Sequence, residues 1–293
     1  FKDIATILKI TEVNNFLTKK NKVDYICYLN SRIKDSYLYT DYFNLILPKK
    51  ESFLSMMKPL LYENELIDKP TYKTSTKTGR VGVEKGFNFL TLKKTNRQKL
   101  KPINKNDTLF EIDFISCEPN FYIKTMIEKD LKAKNIYQYI IDKFDLSINI
   151  KKFKTCLIAL LYGAAINTVK KLSGLESQKI ISIRNYLNIE QFKRIINSEY
   201  DSNKMFLNYY NRPILSNDNP VNYWIQSSVA DFCCLAFNEL LKEKSFINVH
   251  AFIHDAIIIS CHASKINEIQ KITKIYEPIS NISLPVKIKM IST

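Results

Sequence analysis

Two aspartates lie at the ends of otherwise apolar segments of this 293-residue chain. Asp113 lies near the end of the apolar and β-branched run 108–115, and Asp255 interrupts a second such run, 248–260. An isolated carboxylate beside so much apolar surface is costly to keep ionised, so each needs a cation or hydrogen-bond donors. Two such carboxylates brought together could hold divalent metal for phosphoryl transfer, because Mg²⁺ prefers carboxylate and phosphate oxygens. The alternative is that each aspartate only caps a turn.

Two pairs of polar residues have helical spacing. Lys154 and Tyr162 are eight residues apart, which at 100° per residue leaves about 80° between them around a helix, with Ile158 in between. Asn222 and Gln226 are four residues apart and project from one helix face. The spacing predicts shared faces, while an exposed helix lysine and a core tyrosine are the simpler interpretations of the first pair.

The hydrophobic periodicity predicts the elements that position these residues. A strand is predicted to end near Asp113, and two β-type runs form a hairpin with His254 and Asp255 at its tip. Helical segments are predicted at 1 to about 66, 120–171 with a break at 145–149 and its strongest helix at 151–162, 176–197 and 223–244, with a polar loop at 211–222.

Composition narrows the class of protein. The chain is 45% hydrophobic and 12% aromatic, which is enough for a packed core and excludes wholesale disorder. A net charge of +15 points to a polyanionic partner. The segment from Lys73 to Lys105 contains ten Lys and Arg residues and a single acid, Glu84. This composition suits an irregular phosphate-contacting segment or a solvated loop.

Cysteine usage and hydropathy set further expectations. Six scattered cysteines without a CxxC pair, and only three histidines, favour buried reduced thiols over a zinc site or disulfide scaffold. No apolar run approaches the roughly 18 residues needed to cross a bilayer, and no signal peptide is evident. We therefore expect an intracellular protein, in a bacterial or phage-infected cytoplasm or an organelle, that is neither secreted nor bound to a membrane.

Five separate blocks of sequence, taken in order, resemble a known family. They are Thr78-Gly-Arg80, Asp113 with Glu118, Lys154 to Tyr162 before Gly163, Gln226-Ser-Ser-Val-Ala-Asp231, and His254-Asp255. Together they resemble the family A DNA polymerases, the bacterial polymerase I type found also in phages and organelles. The resemblance covers 71–260; each block alone has low specificity, but five in order are specific.

The resemblance implies an α+β, right-hand polymerase fold with an antiparallel-sheet palm, helical fingers and a short helical thumb. The implied division is a thumb at 1–70, the first part of the palm with the basic loop at 71–117, fingers at 118–212, and the second part of the palm with the catalytic hairpin at 213–293. No exonuclease domain is expected, since only about 70 residues precede the basic loop.

The resemblance also implies roles for individual residues. Asp113 and Asp255 would be catalytic and bind two Mg²⁺ ions, with Mn²⁺ as an alternative, for attack of the primer 3′-hydroxyl on the α-phosphate. Lys154 is similar to the catalytic, triphosphate-binding lysine. The other implied nucleotide-binding residues are Glu118, which resembles the gate against a 2′-hydroxyl, Tyr137, Ile158 and Tyr162. The implied DNA-binding residues are Arg80, Asn222 and Gln226 in the minor groove and His254 at the primer end.

Simpler roles stay open for several of these residues. Glu118 could be a surface residue at a helix start, Tyr137 a core tyrosine, Arg80 one more phosphate-binding residue, and His254 a hydrogen-bonded turn residue.

Three positions depart from the family pattern. Ile150 replaces a frequent arginine, so Lys151 or Lys152 would substitute imperfectly. Ile158 occupies a usually aromatic position, which puts nucleotide binding and discrimination against sugar analogues in doubt. Ala256 follows Asp255 where a glutamate is common, which removes an auxiliary carboxylate but neither principal metal ligand.

The sequence thus predicts an enzyme, a DNA-directed DNA polymerase that uses primer-template DNA and dNTPs, with other domains or replication proteins as further partners. A reverse transcriptase is the first alternative, although two neighbouring active-site aspartates are missing from the predicted hairpin. A catalytically weak DNA-binding subunit that keeps the fold is the second, motivated by Ile150, Ile158 and Ala256.

Overall fold

A computed structural model describes residues 42–74, 76, 80–133, 135–199, 205–215 and 220–292. Its helices are α1 Leu47–Ser55, α2 Cys117–Met126, α3 Ile136–Lys143, α4 Ile150–Leu161, α5 Ile166–Ser173, α6 Ser177–Tyr186, α7 Ile189–Glu199, α8 Pro220–Glu243 and α9 Ile266–Gln270. Its strands are β1 Leu60–Tyr62, β2 Glu65–Ile67, β3 Thr71–Lys73, β4 Gly82–Lys85, β5 Leu100–Lys101, β6 Asp107–Phe114, β7 Met205–Leu207, β8 Pro213–Leu215, β9 Asn248–Ile253, β10 Ala256–His262, β11 Lys274–Glu277 and β12 Ile282–Ser292. A π turn, Tyr42–Ile46, precedes α1, and 3₁₀ helices lie at Lys94–Lys99 and Ala263–Lys265.

The chain divides into two compact units. Of the described residues, the first unit contains those within 42–115, 209–212 and 227–292, and the second contains those within 116–208 and 213–226. Helix α8 crosses from the second unit to the first after Gln226. Residues 1–41, which make up most of the predicted thumb, lie outside the described residues.

The first unit is built on a five-stranded antiparallel sheet in the order β11-β12-β6-β10-β9. Strand β6 is central, with β10 on one side and β12 on the other. Its sequence, Asp107-Thr-Leu-Phe-Glu-Ile-Asp-Phe114, is rich in the β-branched and aromatic residues that pack well on a pleated surface. The predicted strand through Asp113 and the predicted hairpin at His254-Asp255 are confirmed.

The two faces of this sheet bury different side chains, because successive residues of a strand point to opposite faces. One face packs on the first-unit part of α8, where Phe237 contacts Phe114 and Phe252 with ring centroids 4.9 and 6.2 Å apart. The other face bears an apolar cluster that includes Leu109, Ile258 and Phe89. This second face also carries Glu111 and Asp113, since they alternate with Phe110, Ile112 and Phe114.

The second unit is mainly helical. Asn135 and Asn149 cap α3 and α4 by accepting hydrogen bonds from the first backbone N–H groups, as short polar side chains do at helix starts. Helix α4 confirms the strongest predicted helix, and its apolar side is buried through Phe153, Leu157 and Leu161. The helix predicted at 176–197 is two helices, α6 and α7, separated by Asn188 with φ of 54°.

Some predicted elements are wrong. Leu60 and Leu61 were expected to continue a helix, but α1 ends at Ser55 and these residues form β1, which pairs with β2 and β5. The polar loop predicted from residue 211 contains β8, which pairs with β7. The basic segment is less irregular than expected, because β4 lies within it and pairs with β3 at its start. In each case, short strand pairing replaced the element that local pattern favoured.

A buried ionic triad anchors α8 to the first unit. Asp231 is fully buried and lies 2.7 Å from the Lys50 ammonium and 2.9 Å from the Arg212 guanidinium, both of which are also fully buried. Arg212 further donates to the backbone carbonyl of Ser227 at 3.0 Å. Charges this deep are tolerated only when they are paired, so the triad ties α1, the 209–212 segment and α8 together.

The remaining sequence expectations concern cysteines and membranes. The described cysteines, Cys117, Cys156, Cys233, Cys234 and Cys261, are buried free thiols, as predicted, while Cys27 lies outside the described residues. Burial raises the pKa of the Cys234 thiol to about 12. Within the described chain, every helix is too short or too polar to traverse a lipid bilayer.

Candidate functional site

The two predicted metal-binding aspartates lie at the same end of one strand pair. Asp113 is directly opposite Ala256, the residue after Asp255, and the Phe114 N–H donates to the Asp255 carbonyl at 3.1 Å. Residues opposite each other in antiparallel strands have Cα atoms about 4.5–5.5 Å apart. The backbone register therefore places the two aspartates within one residue step of each other.

The hairpin tip fixes the position of Asp255. Strands β9 and β10 are joined by only His254 and Asp255, and His254 has a φ of 59°, in the left-handed region that short hairpin turns use. His254 is exposed, and Asp255 is half-buried. A turn this short leaves the carboxylate little freedom to move relative to β10.

Asp113 sits in a mixed electrostatic environment. Its side chain is 33% exposed, and the Lys94 ammonium lies 3.6 Å from its carboxylate. Partial burial raises the pKa of Asp113, while the nearby Lys94 charge opposes that rise. Two residues earlier on the strand, buried Glu111 accepts a hydrogen bond from Arg97 at 2.6 Å. The 3₁₀ helix Lys94–Lys99 thus supplies one cation to each of the two carboxylates, Glu111 and Asp113, on this face of β6.

The donor chemistry at this edge fits magnesium. Mg²⁺ is held by hard oxygen ligands, often one or two protein carboxylates together with water and substrate phosphates. Asp113 and Asp255 provide such a pair, and Mn²⁺ suits the same ligands. No cluster of three or more His, Cys, Asp or Glu side chains arranged for a metal ion occurs among the described residues. A protein-only cage is therefore not what this arrangement offers.

A second candidate group occupies one side of α4, in the second unit. Lys154 is exposed and Ile158 and Tyr162 are half-buried, whereas the side chains on the opposite side of the helix are buried. The predicted shared face of these three residues is therefore present. The Lys154 ammonium lies 5.9 Å from the centre of the Tyr137 ring, which is almost fully buried. Tyr137 thus supports the lysine through a cation–π contact.

Tyr162 links this face to the two neighbouring second-unit elements. Its hydroxyl donates a short hydrogen bond to the Glu118 carboxylate, and the Gln226 side-chain amide donates to the same hydroxyl at 3.3 Å. Glu118 lies in the first turn of α2, and Gln226 lies in α8. Three sequence-predicted residues that are far apart in the chain are therefore brought into one hydrogen-bonded chain.

The other predicted DNA-binding residues are placed as follows. Arg80 is half-buried in the first unit, where its carbonyl accepts a short hydrogen bond from the Thr76 hydroxyl. Asn222 is half-buried one turn before Gln226 on α8, so these two share a helix face as predicted. Thr78 and Gly79 of the first block lie outside the described residues.

Sequence reasoning missed the cations beside the carboxylates. Lys94 and Arg97 were counted only as members of a basic segment, yet they face Asp113 and Glu111 individually. Their spacing of three residues matches one 3₁₀ turn, and that of the acids matches the two-residue repeat of a strand. Each of these two spacings can be read from the sequence. The contact between Arg97 and Glu111, which are 14 residues apart, cannot.

Comparisons with known proteins give a fold and not a family. No family model matches the chain, and no curated protein sequence matches it. Among solved structures, it is similar to the POL domain of Pol1 from M. smegmatis in complex with DNA primer-template and dNTP, with a TM-score of 0.58 and 11% sequence identity. The match covers 86% of this chain and 51% of that one, so the chain spans about half the length of its neighbour. The chain therefore has a polymerase-like fold.

Proposed function

We propose that this chain is a template-directed DNA polymerase that adds deoxynucleotides to a primer 3′ end by metal-assisted phosphoryl transfer. The observation that carries the proposal is the placement of Asp113 and Asp255 at one end of the β6–β10 strand pair within a polymerase-like fold. The structural neighbour is described in complex with DNA primer-template and dNTP, which supports the same classes of ligand here.

In this proposal, Asp113 and Asp255 hold two divalent ions. When bound, Mg²⁺ supplies Lewis-acid stabilisation of the charge that develops on the attacking and leaving oxygens. The protein's contribution is a pair of oxygen donors on a hydrogen-bonded strand pair, because one aspartate is the next-to-last residue of a central strand and the other occupies a two-residue turn. The primer 3′-oxygen attacks the α-phosphorus, and the bond to the leaving pyrophosphate breaks.

The α4 face is assigned to the incoming nucleotide. Lys154 can offset charge on the triphosphate and give a proton to the leaving pyrophosphate. Glu118, held by the Tyr162 hydroxyl, would occupy the space that a 2′-hydroxyl needs and so favour deoxynucleotides. Ile158 supplies an aliphatic surface at a position that is usually aromatic in the family A pattern. Tyr137 supports Lys154 through the cation–π contact.

Contacts to the primer-template are assigned to Arg80, Asn222, Gln226 and His254. Purine N3 and pyrimidine O2 are minor-groove acceptors common to all Watson–Crick pairs, so donors from Arg, Asn and Gln can check pair geometry without reading sequence. His254 is exposed beside Asp255 and is assigned to the primer end.

Primer extension tests the proposal directly. A labelled primer on a DNA template is incubated with Mg²⁺ and dNTPs, using the wild type, Asp113→Asn and Asp255→Asn. Each substitution is expected to lower the extension rate at least about a thousandfold, equivalent to about 4 kcal/mol of transition-state stabilisation, while DNA binding is retained. Asp107→Asn is the matched control, because Asp107 lies on the same face of β6, six residues from Asp113.

Three outcomes would change the assignment. Extension by the Asp113→Asn protein at the wild-type rate would remove Asp113 from the catalytic site. Binding of primed DNA without any extension by the wild type would favour the DNA-binding subunit, for which the buried Ala256 opposite Asp113 is the motivating observation. Efficient extension on RNA but not DNA templates would favour the reverse transcriptase.

A further inference from the structure

Strand β12 carries two lysines on the same sheet face as Asp113 and Glu111 of β6. The register pairs Lys287 directly with Asp113 and Lys289 directly with Glu111. Side chains of residues opposite each other in antiparallel strands lie on one face, with Cβ atoms about 4.5–5.5 Å apart. Val286 and Ile288 alternate with these lysines and pair with Phe114 and Ile112, on the face that packs on α8.

The neighbouring edge strand extends this surface. Lys274 on β11 pairs with Pro285, which is two residues before Lys287 and therefore on the same face. We call Lys274, Lys287 and Lys289 the lysine face. All three are exposed. From Lys289 to the level of Lys274 is four residues of strand, about 13 Å, plus one interstrand step of about 4.8 Å.

The charge of the lysine face is not balanced by neighbouring acids. Glu111 is already paired with Arg97 at 2.6 Å, and Asp113 has Lys94 at 3.6 Å. Within the described part of the chain, no carboxylate lies in ion-pair distance of Lys274, Lys287 or Lys289. Three exposed ammonium groups spread over two strands beside a candidate catalytic carboxylate are suited to a polymeric anion.

We propose that the lysine face binds backbone phosphates of the primer-template, next to the Asp113 carboxylate. This inference rests on the proposed function for the identity of the nucleic acid, but its chemistry is phosphate recognition by lysine point charges. The length of the array favours a polynucleotide backbone over the triphosphate of a single nucleotide. None of these lysines belongs to the basic segment 73–105, but Lys94 of that segment lies beside the same Asp113 carboxylate, so the lysine face extends the cationic surface beyond that segment.

The experiment measures binding without catalysis. The affinity of the full chain for a fluorescently labelled primer-template is determined by anisotropy in EDTA, between about 50 and about 200 mM salt. Each lysine that neutralises a phosphate contributes about 0.9 to the slope of log K against log salt concentration. The Lys287→Gln/Lys289→Gln protein is expected to lose about 2 from that slope and to bind at least about tenfold more weakly at the lower salt concentration.

Two further proteins sharpen the test. Lys58→Gln/Lys242→Gln removes the same charge from exposed positions elsewhere in the first unit and is expected to keep the wild-type slope. Lys287→Arg/Lys289→Arg keeps the charge and is expected to restore the slope, which separates phosphate binding from a folding defect.

The outcomes distinguish this inference from the proposed function. An unchanged salt slope in the glutamine double variant overturns the lysine face as a backbone-binding surface. An unchanged slope with a raised KM for dNTP would assign the lysines to the nucleotide triphosphate and overturn it equally. Because the measurement needs no metal and no extension, it reads the same way if the chain proves not to be a polymerase.

Discussion

At the scale of single residues, the proposed mechanism requires Asp113 to remain ionised and yet available to a ligand. Partial burial raises the pKa of its carboxyl, and the Lys94 ammonium at 3.6 Å opposes that effect. Lys94 is 73% exposed, and exposed ion pairs of this kind contribute at most about 1 kcal/mol. The lysine can therefore stabilise the charged carboxylate and still give way to a more strongly bound cation at little cost.

The Tyr162 hydroxyl gives a prediction at the same scale. Tyr162→Phe removes the hydrogen bond that holds Glu118, and a bond to a charged group contributes about 1.5–3 kcal/mol. If Glu118 excludes a 2′-hydroxyl, its release should lower the preference for dNTP over rNTP, measured as the ratio of kcat/KM values, by about tenfold.

A matched control for Tyr162→Phe exists within the second unit. The Tyr139 hydroxyl donates to the Glu128 carboxylate at 2.9 Å, away from the candidate site. Tyr139→Phe therefore deletes the same kind of hydrogen bond and should leave the dNTP preference unchanged. Equal dNTP preference in the wild type and in Tyr162→Phe would mean that this hydrogen bond does not position the gate.

At the scale of elements, α8 depends on its buried ionic triad. Asp231→Asn leaves the Lys50 and Arg212 charges buried without their carboxylate, and breaking a buried pair in this way costs about 3–5 kcal/mol. Urea unfolding at neutral pH should show this loss in the free energy of unfolding.

The control for Asp231→Asn lies on the same helix. Glu239→Gln removes the partner of Lys242 in an exposed pair three residues apart, which should change stability by no more than about 0.5 kcal/mol. A loss below about 1 kcal/mol in Asp231→Asn would show that the two buried cations are compensated by other groups.

Local periodicity predicted some elements and misled for others. Helix α4 was predictable because its apolar residues repeat with a helical period, and the β9–β10 hairpin because two continuous β-type apolar runs flank the polar His254-Asp255 pair. Strand β1 was not, since Leu60 and Leu61 fit the helical spacing of the preceding residues and only pairing with β2 and β5 makes them a strand.

The candidate site shows the same division. Types and order of residues pointed to Asp113, Asp255, Lys154 and Tyr162, and the structure supports their predicted elements and shared faces. The buried pairing of Lys50 with Asp231 joins residues 181 positions apart and has no local signature. Likewise, the sequence shows that Lys287 and Lys289 alternate with apolar residues, but it does not show that their strand pairs with β6.

At the scale of the whole molecule, the cations behind the net charge of +15 fall into two groups, those paired with buried acids and those exposed to solvent. Several cations are committed to internal partners, as Lys50, Arg97 and Arg212 are. The lysine face and the basic segment hold exposed charge and meet at Asp113, where Lys94 and Lys287 both lie next to the carboxylate-bearing residue.

Global stability should depend on pH through His250. This side chain is buried; its Nδ1 lies 3.1 Å from the Pro59 carbonyl and its Nε2 lies 3.0 Å from the Ser260 hydroxyl. Because carbonyls only accept, Nδ1 is assigned as the protonated nitrogen. Burial lowers the pKa of His250 to about 4, against about 6.5 in an unfolded chain.

The sign of the effect follows from proton uptake. Between pH 6.5 and pH 4, the unfolded chain binds a proton at this site and the folded protein does not, so stability falls as the pH falls. The loss attributable to His250 is about 3 kcal/mol by pH 4. Urea unfolding from pH 7 to pH 4 should show a shallower pH dependence for His250→Asn, whereas His262→Asn, at an exposed position, should follow the wild type. Identical pH profiles for the wild type and His250→Asn would contradict this.

The central position of β6 limits how this protein can vary during evolution. The strand is hydrogen-bonded on both sides, and its side chains alternate between the α8 face and the face of Asp113. Inserting or deleting one residue within β6 would exchange the two sets, sending Asp113 into the core and Phe114 out of it. Substitutions can therefore accumulate until little sequence identity remains, whereas length changes should be confined to the loops between strands.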